Sequence, residues 1–202
     1  MLPEQLASIL PCPIHRAIAW CGELNAAMAV YGIDTPPRQA AFIAQVAHES
    51  GGLQYTREIW GPTLQQKRYE RDFSAAWPPT PADQINRLAF GLGNEYEGDG
   101  KKFRGYGLIQ ITGRSNLTEM GDDLELPLSE RPELLELPTN AAMSAGCFWL
   151  KHGLNSFADR GDFDGVSDVI NRGHKTLKEG DAIGYQDRVG IWKRACLILK
   201  AS

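Results

Sequence analysis

The chain has no run of 18 consecutive apolar residues, no CxxC pair and no long block of basic residues. The first absence leaves no membrane-spanning helix to be read from the sequence. Cys12, Cys21, Cys147 and Cys196 are widely scattered, which argues against a zinc or thiol-redox site. They sit mostly in apolar helical patterns, where a free cysteine acts as a small hydrophobe. Buried reduced thiols are expected, with a Cys12 to Cys21 bridge as the alternative. Lys and Arg number 21 against 25 Asp and Glu, a net charge of −4, so nucleic acid is a poor candidate partner. The amino terminus, MLPEQLASILPCPIHRAIAW, carries proline, glutamate and histidine where a secretory signal needs a basic start and an unbroken apolar stretch. The expectation is a protein made in the cytoplasm, soluble, without an export address of its own.

Several catalytic signatures are incomplete. His48-Glu49 begins HExxH, but the second histidine would fall at Gly52, and His15, His152 and His174 have no ligand spacing. There is no GxSxG, and no cysteine lies in a glycine-rich basic setting that would favour its thiolate. GYG at 105–107 lacks the further glycine of a dinucleotide fingerprint, and no GK[ST] follows at phosphate-loop spacing. Metal, nucleophile and nucleotide chemistry are all disfavoured, and no cofactor is expected.

What is present is a carboxylate pair. In FIAQVAHESGGLQYTRE, Phe42 to Glu58, an apolar helix runs into His48, Glu49 and two glycines, with Glu58 nine residues after Glu49. An unbroken helix would set the two glutamates on opposite faces, roughly 13 Å apart along its axis. Gly51 and Gly52 can instead take positive φ, end the helix and fold the chain back, so that Glu58 faces Glu49 across a cleft. Phe42, Val46 and Glu49 share one stripe, which places Glu49 at the end of an apolar ridge that disfavours its charge. Glu58, among Gln54, Thr56 and Arg57, is expected to stay ionised. One protonated and one charged carboxyl is the arrangement by which glycosidases cut sugar chains.

The rest of the chain reads as one mainly helical domain over residues 1–202, with no repeat and no linker. Helices are expected over Ile14–Tyr31, from Pro36 and Pro37 through the Phe42 segment, near Leu64–Asp72, over Ala82–Phe90 and over Ser129–Leu137. Further helices are expected in NAAMSAGCFWLKHGL capped by Thr139, over Asp164–Ile170 before an Asn171-Arg172-Gly173 turn, and over Asp181–Leu199. The last places Tyr185, Val189, Trp192, Cys196 and Leu199 on one core stripe. Trp60, Tyr69 and Trp77 lie in a proline-rich stretch that suits a cleft wall, where aromatic rings can stack on sugars. Leu108 to Ile111 reads as a short extended run, with Gln110 and Thr112 facing a groove and the isoleucines anchoring the other side. Lys101, Lys102, Arg104 and Arg114 could attract an anionic glycan locally. Asn171 could cap its own turn or present an amide to a ligand.

AHESGG, the glutamate in REIWGPT, the GDGKKFRGYGLIQITGRSN block and INRG together resemble the family 19 glycoside hydrolases, which include chitinases and many phage and prophage endolysins. The likeness runs from about Phe42 to Arg194 and is nearest to the endolysin-type members, without an appended wall-binding module. It implies a lysozyme-like, two-lobed helical fold with a central substrate groove, and inverting hydrolysis of β-1,4 links in N-acetylated glycans. Glu49 would be the general acid and Glu58 the base, with Glu70 as the alternative base. Thr112 would help hold the water, and Gln110, Asn116 and Asn171 would line the groove. His48, Trp60, Tyr69 and Tyr106 join them as expected glycan contacts, Tyr106 standing where the family usually has arginine. The expected activity is that of a peptidoglycan hydrolase, with a chitinase as alternative and a non-catalytic glycan-binding protein as a further one. A monomer is expected that makes no membrane insertion, depends on a holin-like permeabiliser and acts on the wall in the periplasm.

Overall fold

A computed structural model describes residues 1–201. The chain folds into helices α1 (Pro3–Ile9), α2 (Ile14–Val30), α3 (Pro36–Glu49), α4 (Leu64–Lys67), α5 (Arg87–Gly91), α6 (Asp99–Lys102) and α7 (Arg114–Leu124). A 3-10 helix (Pro132–Glu136) precedes α8 (Pro138–Lys151), α9 (Leu154–Asp159), α10 (Phe163–Arg172) and α11 (Tyr185–Leu199). Among the described residues there is no strand, only isolated bridges joining Arg57 to Tyr106 and Tyr106 to Ile111. The mainly helical class read from the sequence is the one observed. No helix is long and apolar enough to cross a membrane among the described residues.

Two apolar clusters define the lobes. The larger gathers α1, α2, α3 and the helices from α8 onward around Phe42, whose ring meets the fully buried Trp149 edge-on at 5.4 Å between centroids. The smaller joins Phe103, Tyr106, Ile111, Leu117, Met120, Leu128 and Leu135 to Cys147 of α8. Helix α8 thus serves both lobes, giving Ala141, Ala145 and Trp149 to one and Cys147 to the other. All four cysteines are free.

Helix α3 is built as its sequence suggests. The Thr35 side chain accepts from the Arg38 amide, Pro36 and Pro37 fill the first turn, and Ala40 to Ala47 are buried. Its main packing partner is α11. The buried face of α11 is Arg188, Ile191 and Ala195, while Tyr185, Val189, Trp192, Cys196 and Leu199 are half-buried at its flanks. The expected stripe is therefore about one position out of register, because an arginine was not counted as a core residue.

Other boundaries also moved. The Leu64–Asp72 and Ala82–Phe90 expectations shrink to α4 and α5, and the Ser129–Leu137 helix is a 3-10 turn. Helix α8 begins at Pro138 after Leu137, so Thr139 is inside it and caps nothing. Helices α1, α6, α7 and α9 had no counterpart in the sequence reading. Trp77 packs on Phe90 at 5.2 Å with the Arg71 guanidinium 4.6 Å over its ring, in place of a free sugar platform.

Candidate active site

Glu49 is the last residue of α3, and three successive left-handed residues follow: Gly51 at φ 60°, Gly52 at φ 73° and Leu53 at φ 62°. The fully buried Ser50 organises this reversal. Its Oγ donates to the Val46 carbonyl at 2.6 Å and accepts from the Leu53 amide at 2.9 Å. The hinge expected at the glycines is present, and it extends one residue further than the glycines themselves.

The surroundings of Glu49 differ from those expected. Phe42 and Val46 are buried as predicted, but the Glu49 carboxylate, 19% exposed, meets a guanidinium and not hydrocarbon. Arg188 of α11, only 1% exposed, donates to Glu49 through Nη2 and to Gln45 through Nη1, and its Nε reaches the Ile183 carbonyl at 3.1 Å. Gln45 in turn donates to Ser167 of α10 at 3.0 Å. The neighbouring pair repeats the contact, since His48 Nδ1 lies 2.6 Å from Asp187 Oδ2. Two consecutive residues ending α3 are thereby fastened to two consecutive residues of α11. A Cβ on Gly184 would lie 2.2 Å from the His48 ring, so this approach needs glycine there. His48, expected as a glycan contact, is therefore engaged at the α3–α11 junction with a partner 139 residues away in sequence.

After the reversal the chain runs beside residues 105–107. The Glu58 amide donates to the Gly105 carbonyl at 2.8 Å, and the Gly107 amide donates to Thr56 at 2.8 Å. Glu58 is then held at both oxygens. Gln66 Nε2 donates to Oε1 at 2.9 Å and the Gly105 amide to Oε2 at 3.1 Å. Burial and the adjacent Glu58 charge push the Tyr69 hydroxyl above its ordinary range. Gln66 cannot turn its amide over. Its Oε1 accepts from Thr63 and Gly61 amides at 2.9 and 3.3 Å, which commits Nε2 to Glu58 and the Ile59 carbonyl.

Two clefts flank the 104–112 segment. One, of about 440 Å³, is lined by Gln54 to Trp60 with Arg104 and Glu136. The other, of about 430 Å³, is lined by Gln110, Thr112 and Asn116 from one side and Phe148, Lys151, His152 and Gly173 from the other. The structure thus groups Glu58 with Trp60, and Gln110 with Thr112 and Asn116. Glu49 and His48 line neither cleft. Tyr69 sits behind Glu58, its ring 6.3 Å from Trp60. Asn171 accepts from the Ile183 amide at 3.1 Å, which ties α10 to the approach of α11. Glu70 accepts from the Lys101 amide at 3.2 Å.

Two expectations fail here. Tyr106 is 4% exposed and belongs to the smaller core, so it is a packing residue. Residues 107–110 are a tight turn closed by the Tyr106–Ile111 bridge, with Gln110 at φ 55°, and not an extended run. Gln110 and Thr112 share a cleft nonetheless, together with Ile109 and Ile111. The polar side chains also brace the turn: Gln110 Nε2 donates to Gly107 O at 2.9 Å, Thr112 Oγ1 to Gln110 O at 2.9 Å, and Asn116 Nδ2 to Thr112 O at 2.7 Å. Gln66 and Arg188 were missed, as neither belongs to a short motif. Among the described residues no three His, Cys, Asp or Glu side chains are grouped so as to hold a metal ion.

This two-lobed helical architecture is the fold of the family 19 chitinases. Over its whole length the chain superposes on chitinase C of Streptomyces griseus with a TM-score of 0.67 at 20% identity, covering 77% of that chain. A bacterial family 19 chitinase gives a TM-score of 0.67 at 20% identity, with 95% of it covered. In sequence, the chain is 38% identical over 107 residues to a glycosyl hydrolase family 19 domain-containing protein of Haemophilus influenzae, 44% of this chain and 51% of that protein. It is 27% identical over 177 residues to acidic endochitinase WIN6 of Populus trichocarpa, 78% of this chain and 49% of that protein. No family model matches the chain. The chain spans about half the length of these two curated relatives.

Proposed function

We propose that the protein is a glycoside hydrolase that cleaves β-1,4 links of an N-acetylated glycan by inverting acid/base catalysis, and that its substrate is the peptidoglycan strand. Glu49 gives its proton to the leaving glycosidic oxygen. Glu58 takes a proton from water, which attacks the anomeric carbon from the opposite face, and the two carboxyls exchange roles in protonation without a covalent intermediate. Thr112, Gln110, Asn116 and Asn171 hold the water and sugar hydroxyls, and Trp60 gives a sugar ring a stacking face. The reaction needs no metal or cofactor.

The observation that carries this reading is the setting of Glu58. Donors from Gln66 and Gly105 converge on a carboxylate at the edge of an open cleft, which suits a group that acts as a proton acceptor. Chitin is the second reading, favoured by the names of relatives such as endochitinase B of tobacco, 28% identical over 214 residues. An endolysin role follows from the first reading: a phage or prophage protein, monomeric, made in the host cytoplasm and released to the periplasmic wall by a holin-like partner.

The test is turbidity loss of outer-membrane-permeabilised bacteria beside hydrolysis of soluble chitin oligomers, with wild type, Glu49→Gln and Glu58→Gln. Wild type is expected to lyse cells and both variants to fail. A 1,6-anhydro product would indicate a lytic transglycosylase and contradict the hydrolytic reading.

A further inference from the structure

We infer that Arg104 forms a carboxylate-recognition subsite in the Glu58 cleft, which selects glycans carrying acidic substituents over neutral ones. The inference rests on the glycosidase reading above and names the substrate feature that reading leaves open.

The charges lining this cleft are Arg57, Glu58, Arg104 and Glu136. Three of them are answered within the protein. Arg57 Nη1 pairs with Glu136 Oε1 at 2.8 Å, and Glu58 is held by Gln66 and Gly105. Arg104 is the exception: among the described residues it forms no ion pair. Its Nη1 donates only to the Lys101 carbonyl at 2.7 Å, and its Nε is shielded from solvent without any acceptor. The guanidinium rests over the Tyr106 ring, 5.5 Å from the centroid. A buried aromatic thereby fixes the position of the cation while leaving its charge uncompensated.

At the rim of a 440 Å³ cleft, a half-buried guanidinium whose Nη2 makes no hydrogen bond among the described residues matches a planar oxyanion. The whole chain carries a net charge of −4, so overall attraction cannot draw an acidic polymer and the cation must act locally. Chitin has no anionic group for it to bind. Peptidoglycan has carboxylates on its stem peptides, and on its lactyl ethers where no peptide is attached. Trp60 in the same cleft offers a face for the sugar to which such a carboxylate is attached.

The experiment compares wild type with Arg104→Met, which keeps the length over Tyr106 without the charge, and with Arg104→Lys. Each is assayed on chitohexaose, on soluble uncrosslinked peptidoglycan and on the same peptidoglycan after carbodiimide amidation of its carboxyls. The ratio of kcat/KM on peptidoglycan to that on chitohexaose is expected to fall about tenfold in Arg104→Met, mostly through KM. It should recover in part in Arg104→Lys, and amidation should reproduce the fall with wild type. Added salt should weaken wild type on peptidoglycan more than Arg104→Met. An equal loss on all three substrates, or no loss on any, would overturn the inference while leaving the glycosidase reading standing. Wild type inactive on every substrate would instead overturn that reading, and the subsite with it.

Discussion

The two glutamates are held in opposite ways. Glu49 sits at the end of a 14-residue helix and is fixed by a buried arginine 139 residues further along the chain. Glu58 sits on a loop and is fixed by neighbours: Gln66 eight residues on, Tyr69 close behind it and one backbone amide of Gly105. Glu49 is thus anchored to the global core through the α3–α11 contact, whereas Glu58 is anchored to a local cage. Damage to the first anchor should reach the whole fold. Damage to the second should stay near the cleft, with the rate changing more than stability.

The largest expected effect is on chemistry. Glu49→Gln, close to isosteric, should lower kcat by roughly 10²–10⁴-fold and also lower Tm, since it leaves the buried Arg188 guanidinium without its counter-charge, measured by product release and thermal unfolding. Arg188→Met should come next and should break both readouts. Removing one partner of a buried pair leaves Gln45 and Glu49 without their donor, a cost of about 3 kcal/mol in urea unfolding together with a large loss of kcat. If Arg188→Met left stability intact, the claim that the acid is tied to the core would fail.

Gln66→Leu should cost about tenfold in kcat, since Glu58 loses one of the two donors that fix its carboxylate. Its unfolding free energy should fall by only about 1–2 kcal/mol, from the unpaired loop amides of Gly61 and Thr63. The smallest effect belongs to Tyr69→Phe, and its sign follows from the raised pKa of the hydroxyl. Burial first, and the Glu58 charge second, keep Tyr69 protonated in the folded protein above the pH, about 10, at which an unfolded tyrosine ionises. The stability it contributes is complete below that pH and is lost as pH rises through the raised value. Wild type should lose stability in that alkaline window, and Tyr69→Phe should lose less there. An identical alkaline profile for the two proteins would remove Tyr69 from the cage.

The same contrast explains what could be read from the sequence. Helix α3, its proline start and its glycine stop follow from local rules, and so does the reversal that separates the glutamates. Helix α2 and the body of α8 were legible for the same reason, as continuous apolar periodicity. Long-range partners were not. Arg188 looks like a polar interruption in the α11 pattern, and only the folded contact with Gln45 and Glu49 shows that it belongs to the core. The 107–110 turn reads as a strand in sequence because Ile109 and Ile111 alternate with Gln110 and Thr112. A non-glycine residue at positive φ leaves no mark in composition. Tyr106 was placed in the groove by analogy of position, while its neighbours Phe103 and Ile111 draw it into the smaller core.

The pairing of Glu49 as acid with Glu58 as base is most directly tested by the anomeric configuration of the first product, followed by proton NMR in the opening minutes of hydrolysis by the wild-type protein. Cleavage of a β-1,4 link by water activated at Glu58 predicts that the new reducing end appears first as the α-anomer and then mutarotates. A β-anomer at the earliest time would mean a covalent or substrate-assisted route with retention, and would contradict the roles given to the two glutamates.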